Sequence, residues 1–393
     1  MNYLIHNCDV YTSHDIVENG LVLIKGSRIE RIFPSSYNTH DLNLATNINR
    51  IDAKGGVVIP GFIDLHVHGG YNVDVTNEST DELSKMVNFH LKNGSTGLLL
   101  TTLSGSSINE LKNQVKTLSR MLEFHESVLG IHLEGPFLNP QFRGMFPADA
   151  FRKPSLNELK ELVEISENTI RMITIAPELD GALDIINWCS QNGIIASFGH
   201  SGADYETVRK AINLGLKHTT HVFNAMVPLH HRHPGGLGAA LMDDRLSVQV
   251  ICDGIHLHPL IIQMLVRLKG HHNICLITDA NRSAGMPDGE YPLGNFGTVY
   301  YRDGRVTSAE GQLAGTGLTM IESFQNLLSF GQISFLNALH AVSTTPACVL
   351  GLQNFIGSIQ EGNDADLIIL DRELHITDIF LKGKLVLENS YSE

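Results

Sequence analysis

The sequence has little cysteine, no basic balance and no long uninterrupted apolar run, and each shortage removes a class of protein. Its five cysteines, Cys8, Cys189, Cys252, Cys275 and Cys348, are odd in number and scattered, and none forms a CxxC pair. A disulfide framework or a zinc knuckle is therefore not expected, whereas buried free thiols in a reducing compartment are. Lysine and arginine number 28 against 42 acidic residues, a formal charge of −14. That balance argues against the basic face a nucleic-acid partner requires. It leaves room for a small anionic ligand, which one local arginine can hold. The opening residues MNYLIHNCDVYTS show no basic n-region and no long apolar h-region, so no signal peptide is expected. No uncharged run reaches membrane-spanning length. The expectation is a cytoplasmic protein with no membrane and no nucleic-acid partner.

What is present is enough apolar residue, 42% against 18% charged over 393 residues, for an enzyme-sized core. The two ends read alike, as short strands separated by turns. At the start these are YLIHNCDVYT, GLVLIKGSRIERIF and NRIDAKGGVVIP, with hairpin signals at Asn19-Gly20 and Lys25-Gly26; at the end they are DADLIILD and ITDIFLKGKLVLE. The middle alternates. Runs rich in Val, Ile and Leu at 57–67, 97–103, 128–134, 171–176, 194–199, 218–223, 247–252 and 274–278 lack the alternation of a half-exposed strand, as expected for a parallel sheet covered on both faces. Helical spacing fills the gaps, and Ser79/Glu82, Ser107/Glu110 and Ser155/Glu158 each match a capping box, with Gly94 placed to end the first helix. Eight strands alternating with helices predict an α/β fold, a (β/α)8 TIM-like barrel over residues 58–358. Residues 1–57 and 359–393 are expected to form one small β-sandwich domain from both termini. An open doubly wound sheet is the alternative, but no GxGxxG follows the first strand.

In such a barrel the chemistry lies at the C-terminal ends of the strands. Reading those ends gives His66 and His68 on strand 1, Glu134 on strand 3, His200 on strand 5, His221 on strand 6, His256 on strand 7 and Asp279 on strand 8. Singly, a histidine is an ordinary core or surface residue and an aspartate after a strand is an N-cap. Gathered in one buried mouth they are costly unless paired or bound to a cation. His66 and His68, two apart on a strand, point to the same side and can share an ion. Neutral imidazoles with a carboxylate suit Zn²⁺ or Fe²⁺, an open coordination position would hold a water, and Asp279 is placed to take its proton.

These residues sit in motifs that resemble a known family. PGFIDLHVHGG, HLEGPFLNP, GHS, THVFNAM, DGIH, TDA and LAGTGLTM, in that order, resemble the N-acetylglucosamine-6-phosphate deacetylase family of the amidohydrolase superfamily, and the likeness runs through nearly the whole chain. The resemblance implies metal-dependent hydrolysis of the N-acetyl amide of an amino-sugar phosphate in amino-sugar catabolism, with Asp279 as general base. It implies that Glu134, His200 and His221 hold the main metal, the strand-4 run RMITIAPELD having no lysine to bridge two ions. His66 and His68 match the pair that holds a second ion in some relatives, so one or two ions per chain are expected. It places Asn224, Ala225, Arg232 and His256 around the sugar phosphate and Leu313, in Leu313-Ala314-Gly315, beside the acyl group. It also implies a homodimer, because the loop LHHRHPGG can reach a partner subunit. Two positions depart from the family pattern. Phe146 stands where relatives often carry histidine in a KGAH-like run, and Asn281 stands where an apolar residue is usual. These leave open a related acylated amino-sugar phosphate such as the galactosamine epimer. A different amidohydrolase reaction and a non-catalytic scaffold are the remaining alternatives.

Overall fold

The computed structural model describes residues 1–34, 36, 48–76, 79–103, 107–147 and 150–388. The stretches 37–47 and 389–393 of the expected terminal domain lie outside these residues. Among the described residues no helix is long and apolar enough to cross a membrane.

The eight expected core strands are present as one parallel sheet in sequence order: β1 Phe62–Val67, β2 Ser95–Thr101, β3 Val128–Glu134, β4 Ile170–Ile175, β5 Ile195–Phe198, β6 His218–Thr219, β7 Ser247–Ile251 and β8 Ile274–Ile277. A helix follows each strand: α1 Thr80–Lys92, α2 Ile108–Phe124, α3 Leu156–Ile165, α4 Ala182–Gln191, α5 Tyr205–Asn213, α6 Gly235–Met242, α7 Pro259–Lys269 and α8 Met320–Phe330. The sheet closes on itself where Asp279 N–H donates to the His66 carbonyl at 3.0 Å and Val67 bridges Ala280. The buried Asp64 reinforces that seam. It accepts hydrogen bonds from the Thr278 hydroxyl at 2.5 Å, the Thr278 amide at 3.3 Å and the His66 amide at 3.1 Å.

The serine half of each expected capping box is formed: Ser79, Ser107 and Ser155 accept from the amides of Glu82, Glu110 and Glu158. The glutamate half is not what those glutamates are used for throughout, since Glu158 instead pairs with Arg152 at 2.9 Å. A complete box caps α8, where Thr319 and Glu322 satisfy one another. Gly94 lies just past the Asn93 cap of α1, at φ 93°.

Strands from both ends build one seven-stranded sheet, ordered Lys384–Glu388, Ile376–Leu381, Leu367–Leu370, Asn49–Pro60, Asn2–Tyr11, Ile16–Lys25 and Arg28–Phe33. Tyr3 and Phe380 come from strands three places apart, a span of about 14 Å in a flat sheet, yet their rings are 5.1 Å apart. The sheet is therefore curled around its own apolar core, which includes Ile5, Val22, Ile24, Val58 and Leu367, and so is sandwich-like in packing. Two sequence readings are corrected. Asn19-Gly20 is no hairpin turn but a bulge within Ile16–Lys25: Cys8 pairs with Gly20 and Val10 with Val17, so Asp9 alone faces both Glu18 and Asn19, with Asn19 at φ 49°. The run 57–67 is also two strands. Val57–Pro60 pairs with Leu367–Leu370 in the terminal sheet, and the barrel begins at Phe62.

The hand-over falls on Gly61, whose amide donates to the Asp366 carbonyl at 2.9 Å while the Phe62 amide donates to Gly94 at 3.0 Å. A Cβ on Gly61 would lie 2.0 Å from Thr96 Oγ1. Gly61→Ala is expected to destabilise the chain by about 1–3 kcal/mol, as overpacking does. The check is a lowered urea midpoint at unchanged m-value.

Candidate active site

The residues read from the strand ends converge on the barrel mouth. Glu134 ends β3, His66 lies on β1 with His68 one residue past it, and His200, His221 and Asp279 each follow their strand by two residues. The last three have left-handed backbones, with φ of 47°, 24° and 50°. Such a conformation costs a non-glycine residue about 1–3 kcal/mol, and here it falls where the chain leaves the strand direction beside the mouth. Strand 6 is correspondingly shorter than its apolar run: it stops at Thr219, and the Val222 amide turns to the Gln249 carbonyl at 2.9 Å. On β1 a bulge sets Asp64 against Leu98 and Val67 against Leu100, and both histidines still meet, Nε2 to Nε2, at 2.9 Å.

Glu134 is at the centre. Its Oε1 lies 3.1 Å from Nε2 of both His200 and His221, which are 3.1 Å from each other. Its Oε2 lies 3.3 Å from His68 Nε2. Asp279 Oδ1 approaches His66 Nε2 at 3.5 Å and His68 Nε2 at 3.3 Å. The other ring nitrogens decide what these distances mean. His68 Nδ1 is 3.0 Å from the Thr101 carbonyl and His200 Nδ1 is 2.8 Å from the Phe142 carbonyl. A carbonyl only accepts, so both Nδ1 atoms carry hydrogen. His66 Nδ1 faces Gln249 Oε1 at 3.0 Å, and the same oxygen takes the His221 amide at 3.3 Å. In neutral rings so fixed, the Nε2 lone pairs point at each other and at a carboxylate. That arrangement is repulsive without a positive charge between them, and the donor set fits a divalent ion. Two triplets have ligand atoms close enough to hold one: His66, His68 and Glu134, and Glu134, His200 and His221.

The electrostatics agree. Burial raises the Glu134 pKa, but His66, His200 and His221 outweigh it and hold the carboxyl well below its ordinary value. Asp279 is likewise drawn down against burial by His66 and His68. Burial lowers His68, yet Asp279 and Glu134 carry it up to about 10. Two carboxylates thus demand positive charge, which protons supply when no ion is bound.

A cavity of about 220 Å³ opens above the cluster. His68, Glu134, His200, His221, Asn224, Ala225, His256, Asp279 and Leu313 line it, whereas His66 is fully buried beneath. Arg232 is not brought there. It is exposed on its loop, with its amide donating to His230 Nδ1 at 3.3 Å, and no lysine or arginine is among the described residues lining the cavity. Phe146 forms a buried wall, its ring 5.4 Å from that of His200 and 6.0 Å from Phe296. Asn281 also lines the cleft, but its amide donates to the Ala314 carbonyl at 2.7 Å and its oxygen accepts from Ser283 N–H and O–H at 2.9 and 2.7 Å. It pins the segment carrying Leu313 to the end of β8. Four supporting residues were not singled out from the sequence: Asp64, Gln249, Thr101, and Asp253, whose carboxylate lies 2.6 Å from His256 Nδ1. Asp64 stands inside the quoted IDLHVH and Asp253 inside DGIH, so the motifs carried the signal; Gln249 and Thr101 had none.

The sequence profile of the amidohydrolase family matches residues 57–386. The chain belongs to that family. Among similar proteins are N-acetylgalactosamine-6-phosphate deacetylase of Escherichia coli O157:H7, 35% identical over 87% of this chain and 90% of its own, and N-acetylglucosamine-6-phosphate deacetylase of Bacillus subtilis (strain 168), 32% identical over 97% and 96%. The crystal structure of N-acetylglucosamine-6-phosphate deacetylase from Pasteurella multocida superposes with a TM-score of 0.91 at 29% identity, covering 99% of this chain and 100% of that one. A Mycobacterium smegmatis deacetylase variant in complex with N-acetyl-D-glucosamine-6-phosphate superposes at 0.90, 30% identical over 98% and 99%. The chain is a hydrolytic enzyme of a superfamily that generally depends on a divalent metal.

Two outcomes are expected of the cluster. Gln249→Leu, which frees His66 from its orienting partner, should weaken metal binding about 10–100-fold with the fold intact, as read by competition with a chromogenic chelator. Metal uptake at pH 7 should release protons, since His68 is protonated below about 10 in the metal-free cluster. Calorimetry in buffers of different ionisation enthalpy measures this, and a heat independent of buffer would contradict it.

Proposed function

We propose that the chain hydrolyses the N-acetyl amide of N-acetylglucosamine 6-phosphate to glucosamine 6-phosphate and acetate. The observation that carries this reading is the placement of Asp279 within 3.3–3.5 Å of His66 and His68, beside a carboxylate flanked by His200 and His221. Glu134, His200 and His221 would hold one Zn²⁺ or Fe²⁺, and His66 and His68 with Glu134 a second. When bound, such an ion polarises the acyl carbonyl and makes water a nucleophile near neutral pH.

The chain's own residues do the rest. Asp279, drawn below its ordinary pKa by its histidine neighbours, is ionised and takes a proton from the water as its oxygen bonds to the acyl carbon. The same proton then passes from Asp279 to the amide nitrogen as the carbon–nitrogen bond breaks, because an unprotonated amine is a poor leaving group. His256, held by Asp253, and Asn224 with Ala225 would orient the sugar, and Leu313 would border the acyl methyl. Arg232 would take the phosphate in its two-pronged fork. Because it stands exposed outside its own chain's cleft, we assign it to the cleft of a second copy in a homodimer. A cytoplasmic setting fits the free cysteines, four of which are buried.

A second reading has its own support. The galactosamine epimer is the substrate named for the E. coli relative, and the apolar Phe146 wall lacks a hydrogen bond for a sugar hydroxyl. Acetate release from the 6-phosphates of N-acetylglucosamine, N-acetylgalactosamine and N-acetylmannosamine, against unphosphorylated controls, tests both. Hydrolysis of the glucosamine compound at least tenfold faster than the epimers supports the proposal, a galactosamine preference supports the second reading, and release from none sinks both. Asp279→Asn should cut turnover by about 10²–10⁴ while metal content stays at the wild-type level. Arg232→Ala should raise KM for phosphorylated substrate only. Equal effects on both substrate classes would count against Arg232 as the phosphate anchor.

A further inference from the structure

A second cluster of imidazoles lies at the other end of the barrel. The turn His271–Asn273 leads into β8 from its N-terminal side, so it sits roughly 20 Å from Asp279 at a strand rise of about 3.3 Å per residue. Here His271, His272 and His340 place ring nitrogens within 4.8 Å of one another. Their ring centroids are 3.7 Å apart for His271 and His272, 5.0 Å for His271 and His340, and 5.2 Å for His272 and His340. His272 is exposed, His271 half-buried, and His340 only 6% exposed.

Three observations separate this cluster from a chance run of surface histidines. First, His340 Nδ1 is buried and has no hydrogen-bond partner, an arrangement native proteins seldom leave without a reason. The backbone of Ser13 also lies beside this ring. Second, His340 opens a π-helical turn, His340–Thr344, between Phe335–Leu339 and Thr345–Leu350. Such turns are rare and gather at functional sites. Third, the two ligand-bearing segments are fastened together, since Thr345 Oγ1 donates to the His271 carbonyl at 3.0 Å. Burial, with His271 and His272 adding to it, pushes the His340 pKa down to about 4, and burial lowers His271 as well.

We propose that His271, His272 and His340 form a second metal site, taking one borderline divalent ion such as Zn²⁺ with water completing the coordination. Three nitrogens around a tetrahedral ion at a Zn–N distance of about 2.0–2.1 Å stand about 3.3 Å apart, so the exposed His272 ring closes in as the ion binds. The site joins the turn before β8 to the π-helical turn after α8, and the helix that leads into that turn meets the terminal sheet where the Phe335 ring lies 4.7 Å from that of Tyr11. Its role is structural: the ion ties the turn before β8 to the π-helical turn at the base of the barrel, away from the catalytic mouth.

The test uses the full-length enzyme stripped with a chelator and reloaded with Zn²⁺. Wild-type chain, His272→Ala and the conservative His340→Gln are dialysed against micromolar Zn²⁺ and counted for bound metal. Both variants are expected to hold one ion per chain fewer than wild type, to lose part of the Zn²⁺-induced rise in Tm, and to keep wild-type acetate release, since neither residue lies at the mouth. Loading with Co²⁺ gives a second readout, one fewer tetrahedral visible band set in each variant. Equal metal counts in the three proteins overturn the proposal, as does a difference that appears only at millimolar Zn²⁺. Circular dichroism matching wild type shows that a lost ion is not lost fold; should His340→Gln unfold, the exposed His272→Ala still decides.

Discussion

The Glu134 carboxylate holds two incompatible demands in balance. One oxygen faces the Nε2 atoms of His200 and His221 at 3.1 Å and the other faces His68 at 3.3 Å. Backbone carbonyls fix His68 and His200 so that their Nε2 lone pairs point inward. An inward ring of lone pairs around a carboxylate is tolerable only with positive charge inside it, and its burial makes the demand stronger. Much of the mouth is arranged to keep those rings from turning away.

That arrangement reaches into the body of the barrel. Gln249 on β7 serves both His66 and the His221 amide, so it couples the two halves of the cluster. Asp64 ties β1 to β8 beneath them through the Thr278 hydroxyl. The left-handed residues His200, His221 and Asp279 place strain at the mouth, where it is offset by the extensive apolar core packed between sheet and helices. The geometry is thus costly locally and cheap globally, the usual condition of a functional site.

The cleft above is shaped by two returning segments. The loop after β3 carries Phe146 onto the His200 ring, and its Phe142 carbonyl orients that same ring. The segment carrying Leu313 and Thr316 comes back along β8, with Thr316 N–H on the Asp279 carbonyl at 2.9 Å and Asn281 on Ala314. Asn281 is therefore a brace and not a free sugar contact, which moves the question of substrate choice toward Phe146. Binding wall and catalytic ligands share atoms, so a change in one is felt by the other.

The eight-strand alternation, the terminal β-rich segments and the polar residues at strand ends were legible in the chain, because a period of apolar runs and the side-chain chemistry at their ends are local properties. Glu134 could be singled out at the end of the third apolar run for that reason. What could not be read was anything set by two distant segments at once. The split of 57–67 at Gly61 depends on pairing with Leu367–Leu370 three hundred residues away. The Asn19-Gly20 bulge depends on the register of a neighbouring strand, and the exposed position of Arg232 on how its loop packs. The orientation of each imidazole depends on a carbonyl or amide from another strand. By itself the sequence determined which groups would be offered at the mouth. Only the tertiary structure decided which lone pairs face one another, because hydrogen bonds across strands, and not the residues themselves, hold each ring in place.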